Sequence, residues 1–261
     1  MKIQSRLFFL LASTCLAGTS FAAAAPNITQ NNIKHFLIFA EGGASFSNTT
    51  SISHGTDWDS TPQGYSSNLG DSSILGGGLG YIFNPLLTFQ VAATYRGDFS
   101  YNKYQSSTSV EGDKIRNFNL SNTNVMFDLY LNGAGVSDRL AWKNSWFMLD
   151  PFVNVGIGPS FNTVSNFHST STVTGKSFSL ENSNTNVSFG YEAGAGLNLH
   201  IHDSVLVRLG YRYMNAGNFK SNNYLLDNPG NFGTPSGITN SRWVGTLSAN
   251  EVYLDAGFVF N

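Results

Sequence analysis

Apolar and polar residues alternate with a period of two along most of this chain, and clusters of Gly, Asn and Ser separate the alternating stretches. A period of two puts successive side chains on opposite faces of an extended strand, whereas a helix repeats every 3.6 residues. Residues 87–96 are the clearest case: Leu87, Phe89, Val91, Ala93 and Tyr95 share one face, and Thr88, Gln90, Ala92, Thr94 and Arg96 the other. The design recurs in 188–201, 205–214 and 251–260, and more weakly in 36–46, 73–83, 123–131 and 152–161. That makes about eight segments of roughly ten residues, an even number of the length a tilted membrane-crossing strand needs.

The connections alternate in length. Residues 84–85 and 201–204 are tight turns, while 47–71, 97–117, 162–185 and 215–245 are long and polar. A meander with short turns at one rim and long loops at the other follows. The 132–148 connection departs from this, being long on the short-turn side. It carries Trp142, Trp146 and Phe147, which suit a membrane interface.

The polar face decides between a soluble barrel or sandwich and a membrane one. It holds Glu41, Arg96, Asp128, Glu192, Arg208, Arg212, Glu251 and Asp255, few in number, of both signs and near mid-strand, beside many glycines. A water-facing surface would be rich in lysine. Sparse opposite charges fit a narrow lumen in which they neutralise one another. The expected fold is therefore all-β: an eight-stranded antiparallel up-and-down transmembrane β-barrel.

The N-terminus sets the compartment. Lys2 and Arg6 precede an apolar run over 7–18, too short to span a bilayer as a helix, and small alanines at 22–25 offer a cleavage site before Pro26. Residues 1–25 read as a cleaved Sec signal peptide and 26–261 as the barrel domain. Cys15, the single cysteine, lies inside the leader without the residues that flank a lipidation site, so the mature chain has no thiol for disulfides or metals. With 14 basic and 16 acidic residues scattered along the chain, nucleic acid is not an expected partner.

Residues 76–98 (GGGLGYIFNPLLTFQVAATYRGD), 150–159 (DPFVNVGIGP), 209–217 (LGYRYMNAG) and 252–260 resemble the small surface-antigen barrels of the opacity and outer membrane protein A type. The resemblance spans nearly the whole mature chain. It implies an eight-stranded barrel of the bacterial outer membrane with variable surface loops, in contact with lipid and lipopolysaccharide and delivered by periplasmic chaperones and the barrel-assembly machinery. The aromatic residue with which such barrels commonly end is displaced here, since Asn261 follows Phe260, and no peptidoglycan-binding domain is expected after the last strand.

No catalytic set is legible. Asn215-Ala216-Gly217 resembles the end of a lipid A deacylase motif, but Arg212 and Met214 stand where its His and Ser belong, removing base and nucleophile. His200 and His202 share a strand face with Asp203 nearby, yet read as turn residues, and no metal or cofactor is expected. Glycines 76, 78, 80, 194, 196 and 210 lie on strands with no following helix to bind phosphate, and instead make room for bulky lumenal neighbours. The lumenal charges are expected to plug the barrel, with a narrow passive channel as the alternative. Surface or host contact is expected from the long loops, with Phe219, Tyr224, Leu225, Leu226, Phe232, Ile238 and Trp243 as the apolar contact candidates of the last.

Overall fold

The computed structural model describes residues 35–49, 52–54, 69–105, 112–175, 177–180, 183–202, 204–225, 237–238 and 242–260. The leader, Leu226, Phe232 and Asp203 lie outside them. Eight long strands form an antiparallel meander: β1 (His35–Ser47), β2 (Ser72–Ile82), β3 (Leu87–Gln105), β4 (Lys114–Asn132), β5 (Phe147–Ser171), β6 (Asn184–Ile201), β7 (Val205–Lys220) and β8 (Trp243–Phe260). Each pairs with the next, and β1 pairs with β8 from Phe36↔Phe260 to Ser47↔Ala249, so the sheet closes on itself. Closure matters because hydrocarbon offers no partner to an open strand edge. Where β1 ends, Ile52–His54 takes over against the start of β8, with Trp243 opposite His54. Tyr224–Leu225 and Gly237–Ile238 form a separate small ribbon.

The period-two reading carries through to the two faces of the wall. Phe89, Phe127, Val153, Val155, Leu209 and Leu254 point outward and are exposed, whereas their sequence neighbours Gln90, Asp128, Asn154, Arg208 and Asp255 point inward and are buried. An apolar exterior around a polar interior is the arrangement a lipid solvent selects. Aromatic rings gather where β1, β2 and β8 reach the short-turn rim, with Phe36 5.2 Å from Tyr81 and 6.0 Å from Phe260 between ring centroids. Such a girdle suits the boundary between headgroups and hydrocarbon.

The turn between β2 and β3 is tight because the Asn84 side-chain oxygen accepts the backbone N–H groups of Leu86 and Leu87, both at 2.9 Å. The connection between β4 and β5 is longer. It contains a single helical turn, Gly133–Val136, and a short strand, Trp142–Lys143, paired with Met148 and Leu149. Asp150 ties it down by accepting the Ala134 N–H at 2.7 Å. Trp142 and Trp146 project from it, 65% and 63% exposed, beside Arg139 and Lys143. In vesicles carrying brominated acyl chains we expect quenching of tryptophan fluorescence to fall markedly when both are changed to phenylalanine. Unchanged quenching would place this hairpin in water.

The strands run further toward the long-loop rim than the alternation alone predicts. Much of 97–117, 162–185 and 215–245 is strand, because β3 continues to Gln105, β5 to Ser171 and β7 to Lys220. Three β-bulges mask the pattern there. The register shifts between Arg96 and Phe99 on β3, at Asn166 on β5 (φ 53°), and between Asn215 and Gly217 on β7 (φ 72° at Gly217). At the last, the Asn215 side chain accepts the Gly217 N–H at 2.9 Å, which accounts for the Asn-Ala-Gly triplet as a backbone device. Each bulge inserts one residue and reverses inside and outside beyond it. Phe99, Tyr101, Phe167 and Phe219 consequently face the interior.

Candidate functional site

The interior is built in layers. Nearest the short-turn rim, Leu37, Phe39, Ala92 and Leu206 form a small apolar floor. Above it, Arg208 donates to Asp255 at 3.1 Å, to Gln90 at 3.0 Å and to Asn198 at 3.1 Å. Its guanidinium lies 4.0 Å from the centroid of the Tyr130 ring and 5.3 Å from that of Phe152. Asn198 in turn donates to Asn132, and Asn132 to Thr88. A planar cation is thus held both by oxygen acceptors at its edge and by aromatic faces.

The next layer is a network of two arginines and three carboxylates. Arg96 grips Glu251 with two donors, at 2.5 and 2.8 Å, and reaches Asn122 with a third at 3.0 Å. Arg212 donates to Glu251 at 2.7 Å, to both oxygens of Glu41 at 2.6 and 3.0 Å, and to Glu192 at 3.3 Å. Ser45 adds a hydroxyl donor to Glu251 at 2.8 Å. These groups come from β1, β3, β4, β6, β7 and β8, so the network ties opposite walls of the barrel together. Fork-on-carboxylate geometry is what makes such burial tolerable, since an unpaired buried charge costs several kcal/mol.

Seven of the eight lumenal charges read from the sequence therefore converge through arginine ion pairs. Asp128 does not: no arginine reaches it within ion-pair distance among the described residues, its Oδ1 has no hydrogen-bond partner, and in the strand register only Gly156 separates it from Glu192. Ser45, Gln90, Asn122 and Asn198 were not singled out from the sequence. Their position on the inward face of each strand was the available signal. Gly210 is a place where a side chain is excluded, because a Cβ there would run into the Tyr253 ring.

Above the charges, Asn122 donates to Ser160 at 2.7 Å and to Asn162 at 2.9 Å, and Asn162 donates to the backbone carbonyls of Ala216 and Asn218. The top layer is apolar. Phe99, Tyr101, Phe118, Leu120, Phe167, Met214, Phe219, Trp243 and Leu247 pack into one buried cluster, in which Tyr101 and Phe118 stack at 4.5 Å and Phe167 and Trp243 lie 5.4 Å apart. This corrects the reading of Phe219 and Trp243 as loop residues open to contact: they are strand residues, 0% and 2% exposed, and form the core of the upper barrel. Tyr224 is exposed, while Leu225 and Ile238 are described only in their backbone pairing.

His200 and His202 do not converge. The His202 backbone adopts φ 51°, and its ring lies 5.7 Å from that of Trp146 at the turn. Among the described residues no group of three or more His, Cys, Asp or Glu side chains has the spacing of a metal site, and no helix is long and apolar enough to cross a membrane.

A closed eight-stranded ring, oily outside and packed with ion pairs inside, is a small membrane-embedded β-barrel. The chain belongs to the outer membrane protein beta-barrel domain family, whose model matches residues 11–233, and this class resides in the bacterial outer membrane. Among solved structures it is similar to the outer membrane protein OprG from Pseudomonas aeruginosa, with a TM-score of 0.51 and 12% identity over 89% of this chain and 98% of that one. It also resembles Neisserial surface protein A, with a TM-score of 0.45 and 11% identity over 87% and 97% of the two chains. The attachment invasion locus protein Ail of Yersinia pestis aligns with a TM-score of 0.34 and 12% identity over 87% and 98%. At these identities the likeness concerns the fold alone. No curated protein matches the chain in sequence. In barrels of this class the short-turn rim faces the periplasm and the long-loop rim the exterior.

Proposed function

We propose that the protein is a closed, non-enzymatic barrel that contributes to the structure of the outer membrane and makes contact at the cell surface through the segments joining its long strands. One observation carries this reading: the interior is filled from the apolar floor, through the Arg208 and Arg212 layers, to the aromatic cluster around Trp243, which leaves a structural plug in place of a path. The strands of the upper barrel lift the loops well clear of the apolar belt, as a surface-contact role requires. Export by a cleaved leader over residues 1–25 and delivery by periplasmic chaperones and the barrel-assembly machinery complete the proposal.

A narrow passive channel is the second reading. The unpartnered side-chain amides of Asn124 and Asn154 and the unpartnered Oδ1 of Asp128 along the β4–β5 wall favour it, since polar atoms of this kind call for hydration. Planar-bilayer recordings on refolded protein separate the two: a plugged barrel gives no discrete steps, and reproducible steps lost on changing Arg212 would establish the channel. For surface contact, residues 223–241 are the segment to replace with a short turn. Ser221 and Trp243, whose backbones are joined at 2.8 Å, and Phe219 must stay because they belong to the barrel. Cell or surface binding is expected to disappear while the barrel remains inserted, and retained binding would refute a contact role for this loop.

A further inference from the structure

Charge does not balance in the middle of the plug. Arg208 takes Asp255, which leaves Arg96 and Arg212 to serve Glu41, Glu192, Glu251 and Asp128, carboxylates that are all 4% exposed or less. Arg212 is already spread over three of them, and its contact with Glu192, at 3.3 Å, is the longest. Among the described residues no guanidinium is left for Asp128.

Asp128 meets Glu192 instead. The two stand on β4 and β6 at one height, with Gly156 of β5 between them. A Cβ at Gly156 would run into Asp128 Oδ1 and lie 3.0 Å from Glu192 Cγ, so both side chains lean across the glycine. Their carboxyl groups are in hydrogen-bonding contact. Ionised carboxylates only accept, so a hydrogen bond between two of them requires one proton. No other donor replaces it: Asp128 Oδ1 has no partner, and the buried amides of Asn124 and Asn154 along the same wall give it none. The other titratable groups facing the pair are Tyr130 on β4, Arg96 on β3, Glu41 on β1, Arg208 and Arg212 on β7, and Glu251, Tyr253 and Asp255 on β8. At this height β2 and β5 present none.

We propose that Asp128 and Glu192 share a single proton and act as an acid lock on the plug, an inference that rests on the closed, filled barrel described above. With the proton in place the pair is one hydrogen-bonded unit with one negative charge, which Arg212 meets through Glu192. Without it, two negative charges are pressed together over a glycine in a poorly hydrated lumen, where like charges repel strongly. The proton belongs to the pair and not to either residue. Above about pH 5 the unfolded chain has released both carboxyl protons while the folded barrel keeps one, so stability falls as pH rises. The barrel is accordingly tightest in mildly acidic surroundings.

The test uses the full mature chain refolded in detergent micelles. Infrared spectra at neutral pH are expected to show the C=O stretch of a protonated carboxyl, missing from Asp128→Asn, whose amide supplies the hydrogen itself. In urea unfolding between about pH 5 and 8, the wild-type unfolding constant should rise about tenfold per pH unit more steeply than that of Asp128→Asn, as one retained proton requires. Equal slopes, or an absent band, overturn the proposal. So does alkaline stability that depends on sodium or potassium at constant ionic strength, because a bound cation would then take the place of the proton. Bilayer recordings over the same range keep the plug itself separate: steps at every pH would refute a closed barrel, while the band and the slope still judge the shared proton. Each variant is first checked for folding by its migration on gels without boiling. If Asp128→Asn fails that check, Asp128→Ser takes its place in both measurements.

Discussion

Replacing Glu251 by glutamine is expected to destabilise the folded barrel by about 3–5 kcal/mol, the usual result of removing one partner from a buried charge network. Glu251 is the hub: it accepts from Arg96 through both oxygens, from Arg212 and from Ser45, and it is fully buried. Glutamine keeps the shape but leaves Arg96 and part of Arg212 without a negative partner. Urea unfolding followed on unboiled gels measures the loss. A double-mutant cycle with Arg96→Gln sharpens it, because the pair should cost clearly less together than the sum of the single changes. Simple additivity would mean that the two groups do not stabilise each other and that the plug is incidental.

Truncating Trp243 to alanine is the second large effect, expected at about 3–5 kcal/mol for a buried aromatic that leaves a cavity behind. Trp243 touches Tyr101, Phe118 and Phe167 and lies beneath Arg116. Its loss removes the centre of the apolar cluster that closes the outer end. The signature differs from that of Glu251→Gln: the outer ends of β3, β4 and β5 should become sensitive to protease added to intact cells, while the membrane-embedded portion still resists boiling-free denaturation on gels. Equal protection of the two variants at the outer rim would show that the aromatic cluster does not hold that rim closed.

The two predictions divide along the line between what the alternation discloses and what it conceals. The charge layer was readable because most of its members sit on the strands with the cleanest period of two. Arg96 follows Thr94 and Gln90 on one face, Arg208 and Arg212 flank Gly210, and Glu251 and Asp255 flank Tyr253. Once a lipid-facing exterior is inferred from the apolar face, the other face must point inward. Which carboxylate meets which arginine was not readable, since each strand's height in the barrel depends on how the whole sheet closes. Asp128 shows this: it has the right parity, yet in the closed barrel it lies next to Glu192, separated in the register only by Gly156.

The aromatic cluster was misread for a local reason. Beyond Arg96, Ser165 and Asn215 the alternation changes phase, and a phase change in a sequence rich in Gly, Asn and Ser looks like the start of a loop. Phe219 then resembles a stray apolar residue awaiting a ligand, whereas Trp243 keeps the inward parity of Glu251 and Asp255 at the far end of β8, beyond the residues that the alternation marked as strand.

The order of polar and apolar residues by itself determined the strand number, the closed membrane-spanning wall and the inward set of charges, because in a strand the face is fixed by parity and in a bilayer the exterior must be apolar. Only the tertiary structure decided the pairing of those charges, the inward turn of Phe99, Phe167 and Phe219, and the meeting of Asp128 and Glu192. Each of these depends on bulges and on inter-strand register, which are set by contacts between residues far apart in the chain.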